Sequence, residues 1–280
     1  YNDITPIRET ATNAITFSAT NGSTTITATD ASHGAVTGDF VTFSQAVSLG
    51  GNITATVLNK EYQIDSVPTD NTYTFTATAT ANSSDTGNGG SGVDGAYQLN
   101  SGLDVYVQST GWGAGTWGAG AWGSTSNLVS SNQLRLWSID NFGDDTILNP
   151  RSDGIYYWDE SSGTDNRAVN VTSLSGASDV PTKTFQIMLS DVDKHVIAFG
   201  CNPIGSSTLN PLLVRFSDTE SIIDWTPTAT NQAGGVQLSM GSTIIAALRT
   251  RQEILIWTDV GMVSMRFVGA PFVFSFNEVA

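Results

Sequence analysis

A chain of 280 residues is long enough to bury two cores of ordinary size. It is 39% hydrophobic but only 13% charged, with threonine, serine, asparagine and 28 glycines filling the balance. Its net charge of −15 argues against tight nucleic-acid binding, which needs clustered Lys and Arg, and its one cysteine, Cys201, excludes an internal disulfide framework.

Threonine favours half-exposed strands and glycine with asparagine favours turns, so the composition predicts an all-β protein. In chain order, residues 1–13 read as an N-terminal strand of the main domain, and residues 14–82 as an inserted small β-barrel or sandwich. Ile15, Phe17 and Ala19 alternate with polar residues up to the hairpin turn Asn21-Gly22, and Ile26 and Ala28 continue the alternation beyond it. Further strands are predicted at Asp39–Phe43, Ile53–Leu58, Glu61–Val67 and Thr72–Ala79, with turns at His33-Gly34 and Asp70-Asn71. Residues 83–95, rich in glycine and serine with little to bury, read as a flexible linker. Ala96–Val107 reads as two short strands.

Trp112, Trp117 and Trp122 follow at a spacing of five within GWGAGTWGAGAWG. That period fits neither a helix nor a strand, which suggests a shaped loop. The indoles could fold back on their own domain, form a subunit interface, or stack on sugar rings.

Residues 96–280 read as a propeller-like domain, incomplete at its C-terminus. Strands are predicted at Leu134–Ile139, Gly154–Trp158, Ala168–Leu174, Phe185–Leu189, His195–Gly200, Leu212–Phe216 and Ile222–Trp225. Ile244–Leu248, Ile254–Trp257 and Val263–Phe267 close the series. Two stretches correspond: FQIMLSDVDKHVIAFG at 185–200 and IIAALRTRQEILIWTD at 244–259, 59 residues apart. Repeated strand-turn-strand units of this kind build propeller blades, at a usual period of roughly 40–50 residues. About three blades fit, fewer than the roughly four to eight that close a propeller. The expectation is therefore a partial or complete β-propeller whose remaining blades lie past Ala280.

No catalytic, cofactor or metal residues are predicted, and the chain reads as not an enzyme. His33 and His195 are far apart and lack a metal-ligand partner at short spacing. No G-x-S-x-G elbow and no Gly-Lys-Ser/Thr loop occurs, and Gly111-x-Gly113-x-Gly115 has no helix after it. The acidic groups Asp218/Glu220/Asp224, Asp191/Asp193 and Asp159/Glu160 sit at turns, where carboxylates are ordinarily solvated. Cys201 reads as a small buried thiol. No apolar run approaches the roughly 18 residues of a membrane-spanning helix.

YNDITPIR at the start, LRLWSIDNFGDDTILNPRSDGIYYWD (134–159), RFSDTESIIDWTP (215–227) and RTRQEILIWTDVGMVSMRFVGAPFVFSF (249–276) resemble segments of the nozzle, or tail stabilisation, proteins of short-tailed bacteriophages. The resemblance implies a propeller-containing structural protein of the virion tail. It implies assembly as a ring, six subunits in known members, around a channel that retains and conducts DNA without binding it specifically. Implied partners are portal or adaptor proteins and tail fibres or spikes; no cofactor is implied. The alternative class is a carbohydrate-binding adhesin that uses Trp112, Trp117 and Trp122.

Overall fold

The computed structural model describes residues 3–100, 135–190, 193–270 and 272–279. It divides into two compact units, Thr5–Leu134 and Tyr1–Ile4 with Arg135–Ala280. Both are built almost wholly from antiparallel strands, as the threonine and glycine content predicts. Among the described residues no helix is long and apolar enough to cross a membrane.

In the first unit, β1 (Ile7–Ala19), β2 (Thr25–Thr29), β3 (Phe40–Ser44), β4 (Glu61–Thr69), β5 (Thr72–Thr76) and β6 (Asp85–Gln98) form a closed barrel in the order β1-β2-β5-β4-β3-β6. Closure leaves no free edge in this sheet. Alternate residues point inward, and Phe17, Phe43, Tyr73 and Phe75 are all buried. The Phe17 and Phe43 rings meet edge to face at 4.9 Å, and Phe43 lies 5.1 Å from Phe75.

Four expectations are corrected in this unit. Residues 83–95 are no linker, because β6 runs through them and pairs with both β1 and β3. The glycines are there for fit. A Cβ on Gly95 would lie 2.3 Å from Ile15, and one on Gly89, at φ +116°, would lie 2.6 Å from Phe17. A strand so close to core side chains, with register shifts along β1, needs glycine for packing and for its bulges. Residues 96–98, expected to open a separate pair of strands, are the end of the same β6. The N-terminal residues do not all belong to the main domain either, since Ile7–Asn13 is part of β1, while Asp3 and Ile4 join the other unit. Finally, Ile53–Leu58 is not a strand. Thr54 accepts a hydrogen bond from the Val57 amide and caps a one-turn helix, α1 (Ala55–Leu58), which buries Leu58.

The second unit contains three four-stranded sheets, each a simple meander. Blade 1 is β7 (Trp137–Phe142), β8 (Asp145–Pro150), β9 (Tyr156–Trp158) and β10 (Val169–Asn170); blade 2 is β11 (Thr184–Leu189), β12 (Val196–Cys201), β13 (Leu213–Phe216) and β14 (Gly234–Gln237). Blade 3 is β15 (Ile244–Arg249), β16 (Ile254–Thr258), β17 (Met262–Gly269) and β18 (Val273–Glu278). Consecutive meanders packed face to face are propeller blades, so the reading of a propeller with a small β-barrel holds. The segments 185–200 and 244–259 do correspond: each forms the first two strands of its blade.

Blade 2 is covered on both faces. Ile187, Leu189, Val196 and Ala198 pack with Ile147 and Ile155 of blade 1, while Ile197, Phe199 and Val214 pack with Ile256, Val263 and Met265 of blade 3. All six residues of β12 are consequently buried. Backbone polarity is also satisfied across the layers. Asp140 and Ser138 of β7 accept the amides of Leu189 and Ile187, and the Gln186 amide group bonds Ala247 through both its N–H and its carbonyl.

Predicted strands fail where a second structure satisfies the backbone locally. Ile222–Trp225 is a turn, held by the Trp225 indole donating to the Ile222 carbonyl at 2.9 Å. Only Val169–Asn170 of the predicted strand 168–174 is extended, because the Asn170 side chain caps a 3-10 turn over Val171–Ser173. β8, β14 and β18 are not among the strands predicted from sequence.

Candidate functional site

Trp112, Trp117 and Trp122 lie outside the described residues. The described residues of the blade unit offer a cleft on blade 1 and a smaller recess between blades 2 and 3.

The cleft on blade 1 has a volume of about 240 Å³ and is lined by Tyr157, Trp158, Asp159, Asn166, Arg167 and Val169 among others. Strand β9 delivers Tyr157 and Trp158. Asp159 then turns the chain by capping the 3-10 segment Glu160–Ser162, accepting from the Ser161 amide at 2.9 Å and the Ser161 hydroxyl at 2.6 Å. These bonds hold the Asp159 carboxyl below the usual carboxylate range. The Trp158 indole donates to the Asn166 carbonyl at 3.1 Å, Tyr157 donates to Asp145, and Arg167 pairs with Asp3 at 2.7 Å. An indole beside a guanidinium and amide groups suits a polar ring or a peptide. However, the polar groups already bond one another, and the volume falls short of the roughly 300–1,000 Å³ usual for small-molecule sites.

The recess between blades 2 and 3, about 90 Å³, is lined by Ser190, Arg249–Ile254, Met265, Phe267 and Phe274. Arg249 donates to the Leu189 carbonyl at 2.7 Å and lies 3.3 Å from Asp140, tying blade 3 to both other blades.

The residues weighed as chemistry from sequence hold the fold together. His195 is fully buried among Phe216, Phe267 and Phe274, with Nδ1 2.7 Å from the Ser217 carbonyl. His33 sits in the barrel: its Nδ1 accepts the Ala35 amide, its ring packs on Tyr73, and its Nε2 is buried without a hydrogen-bond partner. Beside it Tyr97 donates to Asp30 at 2.6 Å and meets the Tyr73 hydroxyl at 3.0 Å; burial pushes both phenols well up. Asp224 accepts from Ser178 and Asn231, and Asp218 from the Gln232 amide, so these carboxylates fasten turns. Among the described residues no three His, Cys, Asp or Glu side chains gather as a metal site.

Cys201 is buried, as expected, at the end of β12, and burial pushes its thiol from its ordinary value near 9 up to about 12. Native protein at pH 8 should therefore leave the thiol unreacted with a disulfide reagent, with one thiol per chain appearing on denaturation. The same shift sets an alkaline limit. Above pH 9 the unfolded thiol loses its proton while the folded one keeps it, so the unfolded state binds fewer protons and stability falls with rising pH. Its contribution is whole below pH 9 and is lost by about 12. Tyr73, Tyr97 and Tyr156, also pushed up by burial, act in the same direction at higher pH. Urea midpoints that stay level from pH 8 to 11 would contradict this.

No protein-family model matches the chain, and no curated protein matches it. Among solved structures it is similar to a chain titled Phage phi92 endosialidase, at 13% identity and a TM-score of 0.27, over 94% of this chain and 36% of that one. The chain thus spans just over a third of that protein's length. A likeness this distant carries no argument about function. The sequence reads as not an enzyme; against that expectation, a solved chain to which it is similar bears an enzyme's name. No activity follows from that name for this chain.

Proposed function

We propose that this chain is a structural component of a bacteriophage tail that acts in the virion by assembling with copies of itself into a ring around the path of DNA ejection. The observation that carries the reading is the row of three stacked blades, because the segments that resemble tail nozzle proteins coincide with its working parts. Residues 134–159 supply β7, β8 and β9, and residues 249–276 run from the end of β15 into β18. Residues 215–227 hold Arg215 of β13, whose guanidinium donates to the Asn202 and Trp225 carbonyls at 3.3 Å each. A net charge of −15 suits a wall past which DNA slides without adhering. Portal or adaptor proteins on one side and fibres or spikes on the other are the partners this role requires.

The test is particle imaging. Purified chain at micromolar concentration should give symmetric rings, about six subunits each by the resemblance, in negative-stain micrographs. A monomer at every concentration tried would count against the reading.

A second reading is that of a carbohydrate-binding adhesin, with Trp112, Trp117 and Trp122, or the Trp158 indole, stacking on sugar rings. Glycan-array binding abolished by Trp158→Ala or Trp117→Ala would support it over the ring.

A further inference from the structure

In the closed order β1-β2-β5-β4-β3-β6, strands β2 and β3 stand on opposite sides of the barrel. Residues 30–39, which join them, must therefore cross its mouth. They cross it as a lid with polar side chains turned inward: Asp30 is 5% exposed, His33 3% and Asp39 5%. Left-handed backbone at Ser32 (φ 56°), Gly34 (φ 60°) and Gly38 (φ 94°) folds the lid onto the mouth. Its two ends are tied by main-chain bonds, from the Asp30 amide to the Asn71 carbonyl and from the Gly38 amide to the Ile64 carbonyl.

His33 ties the middle. Its ring meets Tyr73 of β5 edge to face at 4.9 Å and stacks on Tyr97 of β6 at 6.4 Å, while Arg8 of β1 donates to its carbonyl at 3.0 Å. Nδ1 accepts the Ala35 amide at 3.0 Å, which places the ring hydrogen on Nε2. A proton added to this ring has one place to go, Nδ1. There it would turn the acceptor of the Ala35 amide into a second donor facing it, so the imidazolium and this bond exclude each other. Among the described residues, none of the charged or titratable groups around the ring bonds either nitrogen. Asp30 accepts from the Tyr97 hydroxyl at 2.6 Å, and that hydroxyl meets Tyr73 at 3.0 Å. Asp39 accepts the Val36 amide at 3.0 Å, and Arg8, paired with Glu9 at 3.1 Å, brings a like charge to the His33 carbonyl.

We propose that His33 is an acid-operated latch, whose protonation lifts residues 30–39 from the barrel mouth and uncovers Tyr73, Tyr97 and Asp30. The lid excludes the proton when closed and admits it when open, so the open form binds more protons and gains as pH falls. An imidazole in water titrates near ~6.5, so the latch works in mild acid, where carboxylates in water are still charged. It does not depend on whether the chain forms rings.

Amide exchange of the whole chain at pH 7 and pH 5, corrected for the intrinsic rate, reads the lid directly. Protection at Ala35 and Val36 should fall about twentyfold between the two, the ratio expected when an ordinary imidazole protonates only in the open lid. Protection in β8, β12 and β16 should stay level, which separates lid opening from general acid unfolding. His33→Gln removes the titrating group, so its lid should show no such fall, whatever its starting protection. If His33→Gln does not fold, Asp30→Asn takes its place: it keeps the imidazole and must keep the fall. Level protection in the wild type, a fall that survives His33→Gln, or one that disappears in Asp30→Asn would overturn the latch.

Discussion

Replacing Arg215 by methionine should lower the stability of the blade unit by about 3 kcal/mol, with little recovery from lysine. Arg215 lies on β13 and is 3% exposed, yet among the described residues no carboxylate pairs with it directly. Its guanidinium instead donates to three main-chain carbonyls: Asn202 at 3.3 Å, Asp179 at 2.6 Å and Trp225 at 3.3 Å. It also lies 5.9 Å from the centre of the Trp225 ring. Burial without a directly paired carboxylate holds its proton less firmly than usual, so the charge is costly to keep and the three bonds must repay it. Methionine fills similar space and removes the buried charge, which offsets part of the loss. The three carbonyls are left in a dry junction, and orphaned acceptors there cost about 1–3 kcal/mol each. Lysine places a point charge where a planar fork is required. The check is the guanidinium midpoint of each variant. An Arg215→Met midpoint equal to that of the wild type would show that the carbonyls find other donors, and the staple would lose its standing.

This staple also shows which parts of the structure the sequence made legible. The strings RFSDTE and IIDWTP stand out because they resemble a family, but nothing in their periodicity connects Arg215 to Trp225. The connection exists because a turn, not a strand, brings residues 222–225 back over β13. Periodicity found the strands with long apolar runs, β11, β12, β15 and β16, and with them the blade correspondence. It missed β14, whose two glycines give no alternation, and it mistook β6 for a linker. There the glycines are dictated by Phe17 and Ile15 across the barrel, and no single-strand pattern reveals a neighbour. The blade 1 cleft was not legible, since its lining comes from a capped turn and from Arg167, which is held by Asp3, far away in sequence.

The barrel should depend on Phe43 as the blades depend on Arg215, and Phe43→Ala should cost about 3–5 kcal/mol. Phe43 is 2% exposed and sits among four rings: Phe17 at 4.9 Å, Phe75 at 5.1 Å, Tyr62 at 6.3 Å and Tyr73 at 6.4 Å. A closed barrel cannot readily collapse onto a void, because each wall strand is bonded on both sides. Most of the cavity should therefore persist and carry its full penalty. Phe43→Leu keeps most of the volume and should cost less, about 1–1.5 kcal/mol. Amide exchange in the complete chain separates the outcomes. If exchange proceeds through global opening of the barrel, the alanine variant should lose at least roughly a hundredfold of protection across β1, β2, β3 and β5 together, since 1.4 kcal/mol is tenfold. Loss confined to β3 would mean that the barrel opens strand by strand, and that the aromatic cluster does not bind its wall into one cooperative unit.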